Sequence, residues 1–492
     1  MTETAKKKRG MPSSFTILLA LLAIVAVVTV IVSGTSGGAV TAARLSDFCT
    51  APIKGFADAL PVCLFVMILG GFLGMMTETG ALDNGIAVLV QKLKGNEIML
   101  IPVLMLIFSL GGTTYGMCEE TVPFYALLAA TMMAAGFDPM VGAATVLLGA
   151  GCGCLGSTVN PFAVGAAVDA LTGVDIAVNQ SIIIGLGAVL WIVTTAMSIV
   201  FVMNYAKKVK ADKGSTILSM QELKDAEEAH GKAASEVHKE VKLTGRQKGV
   251  LIAFAFTFVV MIVGFIPLAD LNEGVANFFD AGAVYDADGN AVVQGWSALI
   301  TGLPIGQWYF DEASTWFFLM AILIGIIGGL SEKQIVNTFI TGAADMMSVV
   351  LVIALARGIS VLMANTGLDV FVLDAAANAL AGLSGVIFAP MSFLVYFGLS
   401  FLIPSTSGMA TVSMPIMGPL AVKLGFSPEV MVMIFSAAIG VVNLFTPTSG
   451  AIMGGLALAK IEWTTWLKFA LKLIVALSVV CAVILTVACV LI

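Results

Sequence analysis

The sequence predicts an all-α polytopic membrane protein built from two inverted repeats, each holding a re-entrant hairpin and a broken helix. Three observations lead there. The chain of 492 residues is 59% hydrophobic and 11% charged, with a mean hydropathy of +1.03. Helices in lipid need that much apolar surface and soluble domains do not. Long apolar runs recur from Phe15 to Ile492 without the alternating polarity of a membrane β-barrel. Finally, two sets of polar islands follow one plan. Gly112-Thr113-Thr114-Tyr115-Gly116, with Thr121-Val122-Pro123 after it, is matched 292 positions later by Pro404-Ser405-Thr406-Ser407-Gly408 and Ser413-Met414-Pro415. Downstream the offset is 289: Gly136-Phe137-Asp138-Pro139 matches Gly425-Phe426-Ser427-Pro428, and Ser157-Thr158-Val159-Asn160 falls on Thr446-Pro447-Thr448-Ser449. Duplicated Gly/Pro/Ser/Thr breaks in apolar segments point to the binding site of a carrier.

The elements follow in order. Residues 1–63 hold a basic tail (Lys6 to Arg9), a first spanning helix from Phe15 to Val32 and a linker. The apolar run is too long for a signal peptide, and its basic flank places the N-terminus in the cytoplasm. The first repeat occupies 64–204. Residues 205–248 form a hydrophilic loop. From Ala206 to Lys248 it has ten Lys/Arg, seven Asp/Glu and both histidines, His230 and His238. It reads as cytoplasmic, with a charged helix over Gln221 to Lys239 and both imidazoles solvated. Residues 249–316 give a connecting helix (Val250 to Pro267) and a segment from Asp270 to Glu312. That segment has seven acidic residues and no Lys or Arg, so it faces outside. Asp286 to Asn290 reads as a plain turn rather than a calcium loop. The second repeat occupies 317–492. Lys460, Lys468 and Lys472 precede the last apolar run, so the C-terminus ends outside. About eleven crossings and two re-entrant hairpins are expected, in an inner membrane. Cys152 and Cys154 read as small packing residues.

Candidate site residues come from the islands. Thr113, Thr114, Tyr115, Ser405, Thr406 and Ser407 should form hairpin tips that line a cavity, because irregular backbone at membrane depth needs protein or water around it. Ser157, Thr158, Asn160, Thr446, Thr448 and Ser449 should mark unwound points, where Pro161 and Pro447 free backbone carbonyls. Hydroxyl, amide and carbonyl oxygens there suit a small cation, and half-helix N-termini suit an anionic group. Asn160 and Asn443 can bridge the two, since an amide both donates and accepts. Small-residue helix packing is the competing reading, and four islands in register favour the site. Glu119 and Glu120 break the symmetry, since Thr411 and Val412 are their equivalents. Two adjacent carboxylates in apolar surroundings bind a cationic substrate, carry a coupling proton, or hold the hairpin through a salt bridge. Arg357 either pairs with Asp345, twelve residues earlier on the same helical face, or grips a substrate carboxylate.

No intramembrane histidine, nucleophile–base pair or nucleotide motif supports an enzyme or a primary pump. A channel is possible on composition, but broken inverted repeats fit alternating access better. Nothing indicates nucleic acid as a partner or a resident cofactor. A small-molecule substrate and the bilayer are the expected partners, with sodium or protons as coupling ions.

The run from Gly111 to Tyr125 (GGTTYGMCEETVPFY), with Ala356-Arg357-Gly358-Ile359-Ser360 and Pro404 to Gly408, resembles the YfcC-like branch of the C4-dicarboxylate anaerobic carrier family. The resemblance spans nearly the whole chain. It implies a homodimer of the ion transporter superfamily, with a static scaffold and a domain that moves as an elevator. It also implies sodium sites at Ser157, Thr158 and Asn160 and at Ser405, Thr406, Thr448 and Ser449. Neither half has the Ser-Asn-Thr motif of the sodium-coupled branch. Substrates implied are C4-dicarboxylates by family name, or basic amino acids such as arginine and ornithine by branch. Glu119 and Glu120 suit the second.

Overall fold

A computed structural model describes residues 14–492 except 83, 86–87, 89–95, 237–241, 267, 272, 287–290 and 404. The basic cluster at Lys6 to Arg9, His238, Pro267, Pro404 and most of the Asp286–Asn290 turn lie outside them. The first half contains α1 (Ser14–Ser33), α2 (Leu45–Asp58), α3 (Leu60–Glu78), α4 (Leu100–Tyr115), α5 (Val122–Ala134), α6 (Pro139–Leu155), α7 (Ala166–Thr172) and α8 (Gln180–Ala211). Between the halves lie α9 (Met220–Glu236), α10 (Gly245–Phe265), two short helices, α11 (Leu268–Leu271) and α12 (Glu273–Phe279), and an antiparallel pair, β1 (Val284–Tyr285) with β2 (Ala291–Val293). The second half contains α13 (Phe310–Gly328), α14 (Glu332–Asp345), α15 (Met347–Thr366), α16 (Leu368–Leu380), α17 (Gly385–Leu402), α18 (Thr406–Lys423), α19 (Pro428–Val442), α20 (Gly450–Leu458) and α21 (Trp463–Leu491).

Among the described residues, eight helices are long and apolar enough to cross a membrane. The shorter apolar helices belong to the hairpins and broken helices, because a helix interrupted at mid-depth splits its apolar run in two. The breaks fall where the islands put them. Gly136 and Gly425, 289 apart, both have positive φ (85° and 82°). Asp138 and Ser427 then cap α6 and α19 by accepting from the backbone N–H three residues on. Both helices unwind after Leu155 and Val442. They resume at Pro161, through one π-helical turn, and at Gly450, again 289 apart.

The repeats touch each other reciprocally. Gly151 and Gly440 are equivalents, as are Leu155 and Leu444. A methyl group at Gly440 would stand 2.4 Å from Leu155 Cα, and one at Gly151 would stand 2.3 Å from Leu444 Cδ2. Such swapped pairing is what a two-fold axis produces. The earlier residue of each helix meets the later residue of the other, so α6 and α19 cross antiparallel and the repeats are inverted. The same relation recurs outside this pair. Gly55 packs on Gly358, and Gly71 on Gly342, with both members of each pair shifted by 287 positions in the other half. The long helix α2–α3 bends at Ala59, before Pro61, and α14–α15 bends at Met346, its equivalent at that offset. These close crossings need glycine. Gly440→Ala pushes a methyl into backbone at the α6–α19 crossing and should cost about 1–3 kcal/mol of overpacking. Thermal unfolding of the purified variant should show it as a lowered midpoint with the oligomeric state unchanged.

Three expectations need correction. The offset of 292 does not extend to the hairpin tips. In the first half, α4 ends on Gly116 (φ 81°), and Glu119–Thr121 form a 3-10 turn before α5. Residues 408–413, their equivalents, are regular helix, and the second tip lies upstream, closing on Ser405, which caps α18. Thr113 to Tyr115 are therefore the last turn of α4, and Thr406 to Gly408 the first turn of α18. Arg357 does not pair with Asp345, because the helix breaks at Met346 and Asp345 is exposed. Its partner is Asp58 at the end of α2, which is the repeat equivalent of Asp345.

His230 is not solvated. It is 8% exposed, and its Nε2 lies 3.1 Å from the Leu458 carbonyl at the end of α20. On the same helix, Glu222 accepts from the Glu462 backbone N–H at 2.9 Å, so α9 is strapped across the α20–α21 junction. Burial holds the His230 imidazole below its ordinary range; the bond to Leu458 opposes this and nearby Lys460 adds to it. A ring buried neutral stabilises the strap above about pH 6.5 and loses that contribution as pH falls through the lowered value. Protection factors of the backbone amides of 220–230, which remove the intrinsic pH dependence of exchange, should be lower at pH 5.5 than at 7.5, and His230→Gln should remove the difference.

Candidate functional site

The two broken helices, both hairpin tips and one face of α2–α3 and α15 enclose a cavity of about 350 Å³, within the range of small-molecule sites. Repeat equivalents line it in pairs: Leu147 with Ser436, Ala150 with Ile439, Gly151 with Gly440, and Cys154 with Asn443. The cavity is thus built around the two-fold crossing, and its chemistry lies in the departures from symmetry.

The first tip brings acid. Gly116 turns the chain, and a methyl there would stand 2.6 Å from Asn160 Oδ1, so the tip rests directly on the first break. Cys118, Glu119 and Glu120 follow on the cavity wall. Glu120 is 2% exposed, and its Oε2 accepts from the Cys118 backbone N–H at 3.0 Å. Among the described residues no Lys or Arg forms a salt bridge to either glutamate, so no ion pair holds the hairpin. Arg357 is the single basic side chain among the described lining residues, and Asp58 on the same rim holds it.

The second half brings neutral donors. Ser405, Thr406, Ser407, Asn443, Thr448 and Ser449 line the wall. The first turn of α20, residues Gly450 to Ile452, opens on the same space, and its N-cap Ser449 makes no side-chain cap. Free N–H groups at a helix start carry positive partial charge and suit an anionic group. The first break differs. Asn160 Oδ1 accepts from the Phe162 and Ala163 backbone N–H groups and so covers that helix start itself.

Other predicted residues are built into the frame. Thr113 is 1% exposed and donates from Oγ1 to the Gly156 carbonyl at 2.7 Å; its own carbonyl accepts from the Thr158 backbone N–H (2.9 Å) and hydroxyl (3.0 Å). Ser157 donates to the Cys154 carbonyl (2.6 Å) and accepts from Asn160 Nδ2 (2.9 Å). Thr114 bonds back to the Leu110 carbonyl, and Tyr115 stacks on Phe265. Thr446 bonds to Thr448 at 2.7 Å. None of Thr113, Thr114, Tyr115, Ser157, Thr158 and Thr446 is part of the cavity wall. The freed carbonyls of the second break, Leu444 and Phe445, accept from the indoles of Trp466 and Trp463. Asp58, Phe162, Phe310 and Ser436 line the cavity without having been singled out from sequence. Asp58 was readable from the 287-residue relation to Asp345; the others carry no signal beyond an ordinary helix residue.

A polytopic helical bundle, inverted repeats and a polar cavity at paired helix breaks define a membrane transporter. The chain belongs to the C4-dicarboxylate anaerobic carrier family, which it matches over residues 39–490. It is 28% identical over 445 residues to an uncharacterised protein of Haemophilus influenzae, covering 90% of this chain and 78% of that one. It is 27% identical over 440 residues, covering 87% and 77%, to an Escherichia coli protein, YfcC, whose name proposes a basic amino acid antiporter. Two solved structures are similar over nearly their whole length. Neisseria gonorrhoeae MtrF, described with a class of antimetabolite efflux pumps, has 18% identity, coverage of 98% and 96%, and a TM-score of 0.45. The Alcanivorax borkumensis YdaH transporter has 16% identity, coverage of 96% and 97%, and a TM-score of 0.47.

Proposed function

We propose that this transporter carries basic amino acids of the arginine or ornithine type, by exchange. One observation carries the reading: three carboxylates and one guanidinium line the cavity, and the guanidinium forms its salt bridge to Asp58, so among the described residues neither Glu119 nor Glu120 has one, and Arg357 reaches Glu119 only through its longer-range field. A cationic substrate compensates that buried negative charge, whereas a dicarboxylate adds to it. The substrate carboxylate faces the uncapped start of α20 with Asn443 and Ser407, and the cationic side chain faces the first tip. The name of the Escherichia coli relative agrees with this reading. A C4-dicarboxylate is the alternative, with Arg357 released from Asp58 as its fork.

In the same proposal, α1–α3, α10 and α13–α15 form a scaffold at a homodimer centre in an inner membrane. The hairpins and broken helices move against it as an elevator, with the cavity at the boundary. The sequence boundaries at 64–204 and 317–492 serve as repeats; the glycine relation at offset 287 extends the first upstream to α2, whose equivalent α14 already lies within the second. The N-terminus is cytoplasmic and the C-terminus external. Asn443, Thr448 and Ser449 are the oxygens open to a coupling sodium ion, and a coupling proton would be carried by Glu119 or Glu120.

The test is a thermal-shift titration of the purified protein with arginine, ornithine and succinate, each in sodium or choline. A ligand that binds the folded state raises the midpoint. A shift with arginine or ornithine and none with succinate is expected. A shift with succinate alone transfers the assignment to dicarboxylates. Identical shifts in choline remove the sodium role.

A further inference from the structure

We infer that Ser436 is a substrate-contacting residue, supplied by the second repeat to the acidic end of the cavity, where its hydroxyl accepts from the substrate's cationic group. The inference rests on the basic amino acid reading and adds a residue to it. Ser436 is 2% exposed, lines the cavity and has no hydrogen-bond partner within the protein. Hydroxyls on these helices ordinarily bond back to the preceding turn. Thr131, Thr145, Thr194, Thr257, Ser400 and Ser478 all do so, at 2.6–2.8 Å. Ser436 forgoes that bond. Six other described residues have a buried polar atom without a partner, and none of them lines the cavity.

Position and symmetry add independent support. The repeat equivalent of Ser436 is Leu147, which lines the same cavity, so the crossing of α6 and α19 does not need a hydroxyl there. Since the crossing is antiparallel, with Gly440 on Leu155, the turn of α19 before Gly440 runs toward the first break. Ser436 lies one turn back and so faces the end where Asn160 and the Glu119–Glu120 tip sit. A hydroxyl that accepts from an ammonium or guanidinium is matched to that end, since both carboxylates there are acceptors too.

The experiment is equilibrium binding of arginine, of agmatine (its decarboxylated analogue) and of succinate to the purified full-length protein, comparing the parent with Ser436→Ala and Ser436→Thr. Melting without ligand reports folding. The expected result is that Ser436→Ala weakens arginine and agmatine alike by about tenfold or more, the scale of a hydrogen bond to a charged group. Ser436→Thr, which keeps the hydroxyl, should stay within about threefold of the parent, well short of one such bond. If the parent binds arginine and Ser436→Ala binds it equally well, the inference fails and the basic amino acid reading stands. If Ser436→Thr is as weak as Ser436→Ala, the effect is packing and the inference fails. If the parent binds succinate and not arginine, the reading falls and the inference with it.

Discussion

Replacing Gly116 with alanine abolishes uptake while the protein still inserts and purifies. Two physical terms combine at this position. Its φ of 81° is open to glycine and costs other residues about 1–2 kcal/mol. The added methyl would also stand within 2.6–2.8 Å of the Asn160 amide. Asn160 cannot yield, because its oxygen caps two backbone N–H groups and its nitrogen is bonded to Ser157. The first tip must therefore lift off the first break, taking Cys118, Glu119 and Glu120 out of place. At ~1.4 kcal/mol for each factor of ten, the backbone term alone corresponds to about 5- to 30-fold, and the clash with Asn160 adds to it. Gly408→Ala is the control. It occupies the equivalent position but lies in regular helix, where the nearest contact of a methyl is the Ser405 hydroxyl at 3.0 Å. Uptake by reconstituted Gly116→Ala equal to that of Gly408→Ala would show that tip and break are not coupled.

Neutralising the acidic tip is expected to separate substrate classes. Glu119→Gln and Glu120→Gln keep shape and remove charge. A hydrogen bond to a charged partner contributes about 1.5–3 kcal/mol, so arginine uptake should fall about tenfold or more in at least one variant. Glu120→Gln carries a second effect. Its Oε2 accepts from the Cys118 backbone N–H, a bond the glutamine amide oxygen can still accept, so folding should be kept. Uptake of a neutral or anionic solute should not fall. If both variants transport arginine normally, the glutamates have no part in recognition and the cavity's negative charge serves only structure.

The sequence showed the breaks of this fold because its punctuation is local. Gly136 and Gly425, the caps at Asp138 and Ser427, and the restart at Pro161 and Gly450 are each set by one or two residues of special backbone chemistry, and the offset of 289 carries through all of them. The hairpin tips were harder to place. Thr406 to Thr411 resemble the first tip in composition, yet they continue a helix because nothing there forces positive φ, as Gly116 does. The use of the hydroxyls was not legible either. Thr113, Ser157 and Thr158 have the residue types of a cation site, and each donates its hydroxyl hydrogen to a backbone carbonyl, Gly156, Cys154 and Thr113 respectively, a matter of distances between α4 and the break. The partner of Arg357 was one repeat away from the sequence's choice. Asp58 and Asp345 are equivalent, and only the bend at Met346 and the packing of α2 on α15 decide between them. His230 shows the same limit: a charged, hydrophilic loop gives no sign that one of its imidazoles is buried against the Leu458 carbonyl.

The central claim, exchange of basic amino acids through a cavity with an acidic end, is tested most directly by counterflow in proteoliposomes. Vesicles preloaded with unlabelled arginine should accumulate external labelled arginine or ornithine, and vesicles loaded with buffer or succinate should not. Accumulation of labelled succinate driven by internal succinate, with arginine inert on both sides, would contradict the account.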